Sequence, residues 1–173
     1  AWDRRAGTTL TRELKRRGVN VITHTIVTHV DTGANLGATV HYTREGQDGE
    51  QSVWGEIALA AIGRTPVADP SWGVALTESG HVVTDAFGRT NKSGIWAVGD
   101  VTPGHALAHR AFEQGIVIAE TIAGLNPKPV DENTVPQIVF SSPEAASVGL
   151  TIEQAQAREN LLEVKETIYP MLG

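Results

Sequence analysis

One stretch constrains this chain more than any other: a short apolar run that ends on a lone carboxylate and feeds into a long amphipathic helix. Ile95 to Gly99 are apolar or small, Asp100 follows at once, and Pro103 and Gly104 turn the chain. Beyond the turn, Ala108, Ala111, Phe112, Gly115, Ile116, Ala119, Ile122 and Ala123 recur at helical spacing on one face. His109, Arg110, Glu113, Gln114 and Glu120 fall on the others, and Gly124 and Pro127 stop the helix. A strand, a tight turn and a helix in that order are the unit of an α/β fold.

The flanks extend this reading. Thr8 to Arg17 is expected as a helix, with Lys15, Arg16 and Arg17 in its last turn and Gly18 just beyond. Val19–Ile22 reads as a short strand. Three extended runs follow, "IVTHV", "ATVHYT" and "QSVWGEIALAAIG", separated by "DTGANLG" and "EGQDG". Short Gly-, Asp- and Asn-rich gaps between alternating runs predict an antiparallel meander. Ile57–Ile62 is continuously apolar, the pattern of a strand covered on both faces. "GRTPVADPSWG" is a Pro- and Gly-rich crossing and "HVVTD" a short strand. After the long helix, "LNPKPVDENTVP" reads as a linker, "QIVF" and "SVGL" as strands, and "LLEVKETIY" as a last strand. Thr151 and Gln154 have the spacing of a helix-opening capping box.

Composition excludes several functions. At 173 residues, 40% hydrophobic and 20% charged, with a net charge of −6, the chain reads as a soluble globular protein. No basic cluster exceeds Lys15-Arg16-Arg17, so no nucleic-acid partner is expected. No apolar run has the length of a membrane span, and no membrane partner is expected. Cysteine is absent, which excludes a thiol nucleophile or thiolate metal site within these residues and fits a reducing cytoplasm. The chain starts at Ala1 and its only methionine is Met171, so it is expected to be an internal to C-terminal fragment of a longer protein.

Chemistry is expected at Asp100. In open α/β sheets, ligands bind beyond the carboxyl ends of the strands. A carboxylate there accepts hydrogen bonds from two vicinal hydroxyls of a sugar or ribityl chain. Gly99 permits close backbone approach, and the N-terminus of the next helix suits an anion. Locally, the same residues also fit a plain strand-ending turn in which Asp100 caps a neighbouring N–H.

A longer pattern separates these readings. "TNKSGIWAVGD" sets Thr90 ten residues before Asp100; "AIGRTP" lies upstream, "ALAHRAFEQG" downstream, and "VPQIVFSSPEAASVGLT" follows the linker. The order and spacing resemble the flavin-dependent pyridine nucleotide-disulfide oxidoreductases, most closely the dihydrolipoamide dehydrogenases, over nearly the whole chain. "AIGR" and "GD" recur across that superfamily, whereas "LAH" after "GD" and the later "PEAASVGLT" point to the lipoamide enzymes.

The resemblance implies cofactors FAD and NAD. Asp100 would bind the ribityl chain beside Gly99, and Ala106, Leu107, Ala108 and His109 would lie against the isoalloxazine ring, with backbone N–H groups near N1 and O2. Gly63 would pass close to NAD, and Val27 would contact it through backbone. It also implies an α/β fold with an α+β tail. Residues 1–66 would be the second half of an NAD-binding domain, 67–128 the C-terminal part of an FAD-binding domain, and 129–173 the start of an interface (dimerisation) domain. The parent would be a cytoplasmic homodimer in cell redox homeostasis, with a 2-oxo acid dehydrogenase complex as partner, oxidising dihydrolipoamide and reducing NAD. The family's Gly-x-Gly-x-x-Gly loops, redox Cys-x4-Cys pair and C-terminal His and Glu pair are not among these residues. The chain alone is therefore expected to be inactive, with no catalytic residue of its own. A related flavin disulfide reductase, a soluble pyridine nucleotide transhydrogenase and a non-catalytic nucleotide-binding module are the alternatives.

Other polar residues carry blander expectations. His109 and Glu113 have i, i+4 spacing but no third ligand, so neither a metal site nor a proton-transfer pair is assigned. His24, His29, His41 and His81 are expected at solvated or edge positions, and no metal site is expected. Trp96 reads as core, and Arg64 as a residue holding a domain boundary through backbone carbonyls or an acid.

Overall fold

The structure, a computed structural model, describes residues 3–33, 36–158 and 163–169. Trp2, Leu161, Leu162 and Met171 lie outside the described residues. The chain forms a small α/β assembly that divides into two units, Thr9–Gly63 and Ala1–Thr8 with Arg64–Gly173.

Helix α1 spans Arg4–Arg16 and begins four residues before the expected start at Thr8. Lys15 and Arg16 occupy its last turn, opposite the negative end of the helix dipole. Gly18, at φ +84°, terminates it. Val19–Ile22 is not a strand but irregular chain.

Thr9–Gly63 is dominated by the expected meander. Strands β1 (Thr25–Asp31), β2 (Ala38–Arg44) and β3 (Gln51–Gly55) form one antiparallel sheet in the order β1-β2-β3. The register pairs Val27 with Tyr42 and then His29 with His41, so Thr28 is bulged. That bulge resets which β1 side chains share a face with β2. The expected strand at Ile57–Ile62 is corrected: the chain leaves the sheet after Gly55 and pairs with nothing. Ile57, Leu59 and Ile62 are 87, 89 and 94% exposed. A doubly covered strand needs neighbours on both edges and layers on both faces, and the described residues supply none.

The other unit is built largely from turns, with α2 as its longest helix. "HVVTD" pairs locally, as a single bridge between Leu76 and Val82, rather than as a strand. Val82 is fully buried, and its N–H bonds to Val101 O at 2.8 Å. The segment before Asp100 is extended but makes one bridge, Arg89 to Trp96, instead of a sheet strand. Helix α2 spans Ala108–Ile122. Strands β4 (Gln137–Val139) and β5 (Ala145–Ser147) pair antiparallel, so "QIVF" is a strand while the one expected at "SVGL" sits earlier. Thr151 caps α3 (Ile152–Gln156) with both hydrogen bonds of a capping box. Residues 163–169 are irregular where a last strand was expected.

The inward face of α2 also differs from its hydropathy. Arg110 and Val117 are its buried residues, with Gln114 and Thr121 partly covered on the same side. Phe112 is 73% exposed, and Ile116 and Ile122 are also exposed. Periodicity marks an apolar stripe but does not say which neighbour covers it.

Candidate functional site

Gly99 and Asp100 lie in a short 3-10 turn, Gly99–Val101. Gly99 has φ +79°, which favours glycine, and a Cβ there would meet Ala111 Cβ at 3.4 Å. Its N–H donates to Gln114 Oε1 at 2.8 Å. Its carbonyl accepts from Thr102 N–H at 2.9 Å and from Thr102 Oγ1 at 2.8 Å. Thr102 is buried, so these bonds are shielded from water.

Arg110 locks the next corner and is only 3% exposed. It donates through Nε to Glu132 Oε1 at 2.6 Å and through Nη2 to Pro103 O at 2.5 Å, with a longer reach of 3.4 Å from Nη1 to Thr102 Oγ1. Gly104 has φ +121°, and a Cβ there would run into the Arg110 guanidinium. The polar face of α2 thus clamps the turn on both sides of Asp100. Asp100 itself is left outward and half-exposed, paired with Arg64 Nη1 at 3.5 Å. Arg64 was expected to meet backbone carbonyls or an acid; the acid is Asp100.

The N-terminus of α2 follows directly. Leu107 is its N-cap residue, with extended backbone and no side-chain cap, and no acid lies in the first turn. The first N–H groups of a helix have no intrahelical partner, so this end carries the positive pole of the dipole uncompensated. Ala106, Ala108 and His109 are exposed and Leu107 is partly covered. His109 Nε2 lies 2.7 Å from Pro136 O. A carbonyl only accepts, so that nitrogen carries the proton and the ring ties α2 to the chain before β4. An acceptor carboxylate on the turn that leads into an uncapped, positive helix end suits the polyol and anionic parts of a cofactor such as FAD, although the Leu107 N–H is taken by His105 O at 2.9 Å.

The other expected contacts stand apart in the sequence. Gly63 has φ +125°, and a Cβ there would meet nothing within 4 Å, so its conformation rather than crowding favours glycine. Val27 is exposed at the β1 bulge, opposite Tyr42. Thr90, the marker upstream of Asp100, closes its own loop: Oγ1 donates to Ile95 O at 2.9 Å and accepts from Lys92 N–H at 3.1 Å. Trp96 is partly buried rather than fully core, with the Arg89 guanidinium 5.2 Å from its ring centre.

The expectation of solvated or edge positions holds for His29, exposed on the edge strand β1, and is corrected at His41, partly covered on the central strand β2. His29 and His41 are cross-strand partners whose rings stack at 4.1 Å. His41 Nε2 is 3.1 Å from Asp31 Oδ2, and its Nδ1 is 3.4 Å from Glu50 Oε2. His24, at φ +57°, is exposed beside Glu45. The alternation of β1 and β2 placed both histidines on strands, but only the register made them neighbours.

Residues 1–115 match the pyridine nucleotide-disulphide oxidoreductases, and the chain belongs to that family. Membership implies FAD and a nicotinamide nucleotide as cofactors. The curated relatives narrow the class: the chain is 36% identical to dihydrolipoyl dehydrogenase of Bacillus subtilis over 98% of its residues, and 35% identical to that of Geobacillus stearothermophilus over 90%. It covers 36 and 33% of those two proteins, about a third of their length. Among solved structures it resembles LpdA of Mycobacterium tuberculosis (TM-score 0.78, 30% identity, 90% of this chain and 33% of that one). It also resembles the HOCl-induced flavoprotein disulfide reductase RclA of Escherichia coli (TM-score 0.75, 27% identity, 91% and 36%). Among the described residues, no helix is long and apolar enough to cross a membrane.

Proposed function

We propose that the intact protein is an FAD-dependent dihydrolipoamide dehydrogenase, acting as a cytoplasmic homodimer with NAD and serving a 2-oxo acid dehydrogenase complex. The curated relatives support the activity. The observation that carries this chain's part in it is the clamped turn that holds Asp100 outward beside the uncapped end of α2. Bound FAD supplies two-electron transfer between a dithiol and a nicotinamide. Asp100 accepts the ribityl hydroxyls, and the backbone N–H groups of Ala106, Ala108 and His109 favour negative charge at the ring, that of Leu107 donating to His105 O. Gly63 and Val27 give backbone to NAD. The domain reading assigns residues 1–66, 67–128 and 129–173 to the NAD, FAD and interface domains. No residue here is assigned to thiol exchange, so the chain by itself is inactive.

In the intact protein, Asp100→Ala weakens FAD retention by about 1–3 kcal/mol, the cost of leaving buried hydroxyls unpaired. Flavin content and FAD titration read this directly, and full content with unchanged affinity sinks the assignment. The 173-residue chain alone should form no NADH from dihydrolipoamide and NAD; measurable turnover would overturn its inactivity. The likeness to RclA favours, as second reading, a flavin disulfide reductase with another substrate. Comparing dihydrolipoamide with other dithiols on the intact protein separates the two.

A further inference from the structure

We propose that the β1–β2–β3 meander carries a binding site for a divalent transition-metal cation, with His29, Asp31 and His41 as ligands and Glu50 beside them. The site follows from register. His29 and Asp31 are two apart on β1 and share a face, and the bulge at Thr28 sets His29 directly opposite His41. Glu50 comes immediately before β3.

The two rings stack face to face and turn their nitrogen edges to the carboxylates. The two imidazoles are nearly parallel, 8° apart. Both present Nε2 to Asp31 Oδ2, at 3.8 Å from His29 and 3.1 Å from His41. Both present Nδ1 to Glu50, at 3.7 and 3.4 Å. Thr28 Oγ1 donates to Glu50 Oε1 at 2.6 Å and so orients that carboxylate.

Donor atoms of His29, Asp31 and His41 lie within 4.8 Å of one another. A tetrahedral Zn²⁺ sets its ligand atoms about 3.3 Å apart and is bound in the plane of each imidazole, so the exposed His29 ring must turn out of its stack on the partly covered His41 ring to close the set. Two nitrogens with one or two carboxylates suit Zn²⁺ and its neighbours in the first transition row better than Mg²⁺ or Ca²⁺. Bound there, the cation would tie β1 to β2. None of these residues is assigned to FAD or NAD, though Val27, assigned to NAD, lies two residues before His29 on β1.

The test strips the intact protein with a chelator and titrates it with ZnCl₂ by calorimetry, using Co²⁺ absorption to report coordination. One Zn²⁺ per chain is expected at this site, with a tetrahedral Co²⁺ spectrum. Asp31→Asn and His41→Ala should each weaken Zn²⁺ binding at least tenfold, and His81→Ala should not. Asp31→Asn keeps the shape of an exposed side chain, so it reports even if His41→Ala unfolds; circular dichroism checks both. Absence of stoichiometric binding, or binding that survives Asp31→Asn unchanged, overturns the proposal and leaves the cluster a set of ion pairs.

Discussion

Arg110 organises more of the candidate site than Asp100 does. A buried guanidinium persists when its donors are matched, and here Glu132, Pro103 O and Thr102 take them. Arg110→Ala leaves the Pro103 carbonyl without its donor and Glu132 without its partner. In the intact protein this should cost about 1–3 kcal/mol and loosen the turn that presents Asp100. Urea unfolding should show the loss, and flavin retention should fall with it; unchanged values for both would refute the clamp. Gly104→Ala acts from the other side, combining a strained φ of +121° with a collision against Arg110. Its expected cost is similar, about 1–3 kcal/mol. Arg64 is the contrast: its pair with Asp100 is long and exposed at both ends, so Arg64→Ala should change stability by less than about 1 kcal/mol.

At the scale of elements, α1 carries a pH-dependent device. Hydrogen bonds from Arg16 and then Arg17 hold the Glu13 carboxyl down to about 2, from an ordinary 4.5. The folded form therefore binds its proton later than the unfolded one. The contribution to stability is fully present above pH 4.5 and is lost as pH falls through about 2. Helical circular dichroism should fall across that window, and Glu13→Gln should remove that part of the change; an unaltered acid profile in the variant would exclude the mechanism. The same scale shows what was legible beforehand. The meander and the α3 capping box rest on local chemistry: alternating side chains, Gly- and Asp-rich turns, a threonine three residues before a glutamine. The buried side of α2 was not legible, because a hydrogen-bond network around Arg110 outweighed an apolar stripe. Ile57–Ile62 has the hydropathy of a strand, but strand formation depends on partners that its own residues do not specify. His29 and His41 were visible singly, yet their adjacency depends on one bulged residue, Thr28. At Asp100, the resemblance implied the ligand, whereas the turn's physics alone favoured a cap.

At the scale of the whole molecule, the buried hydrophobic residues among those described are Ala38, Val82, Val117 and Val135. Against them stand the bare Ile57–Ile62 run and the exposed Phe112 stripe. Apolar surface of this extent binds hydrophobic dyes. The 173-residue chain should enhance anilinonaphthalene sulfonate fluorescence more per mole than the intact protein, and an equal signal would show that these surfaces are covered by the chain itself. The inverted helix α2 has a further consequence, in mutational tolerance. In the isolated chain, a substitution scan along α2 should find the polar positions Arg110 and Gln114 intolerant and the apolar Phe112 permissive, so that hydropathy ranks sensitivity backwards. In the intact protein, any surface that settles on Phe112 and Ile116 would restore the usual order, and the positions whose rank changes between the two scans would trace its footprint.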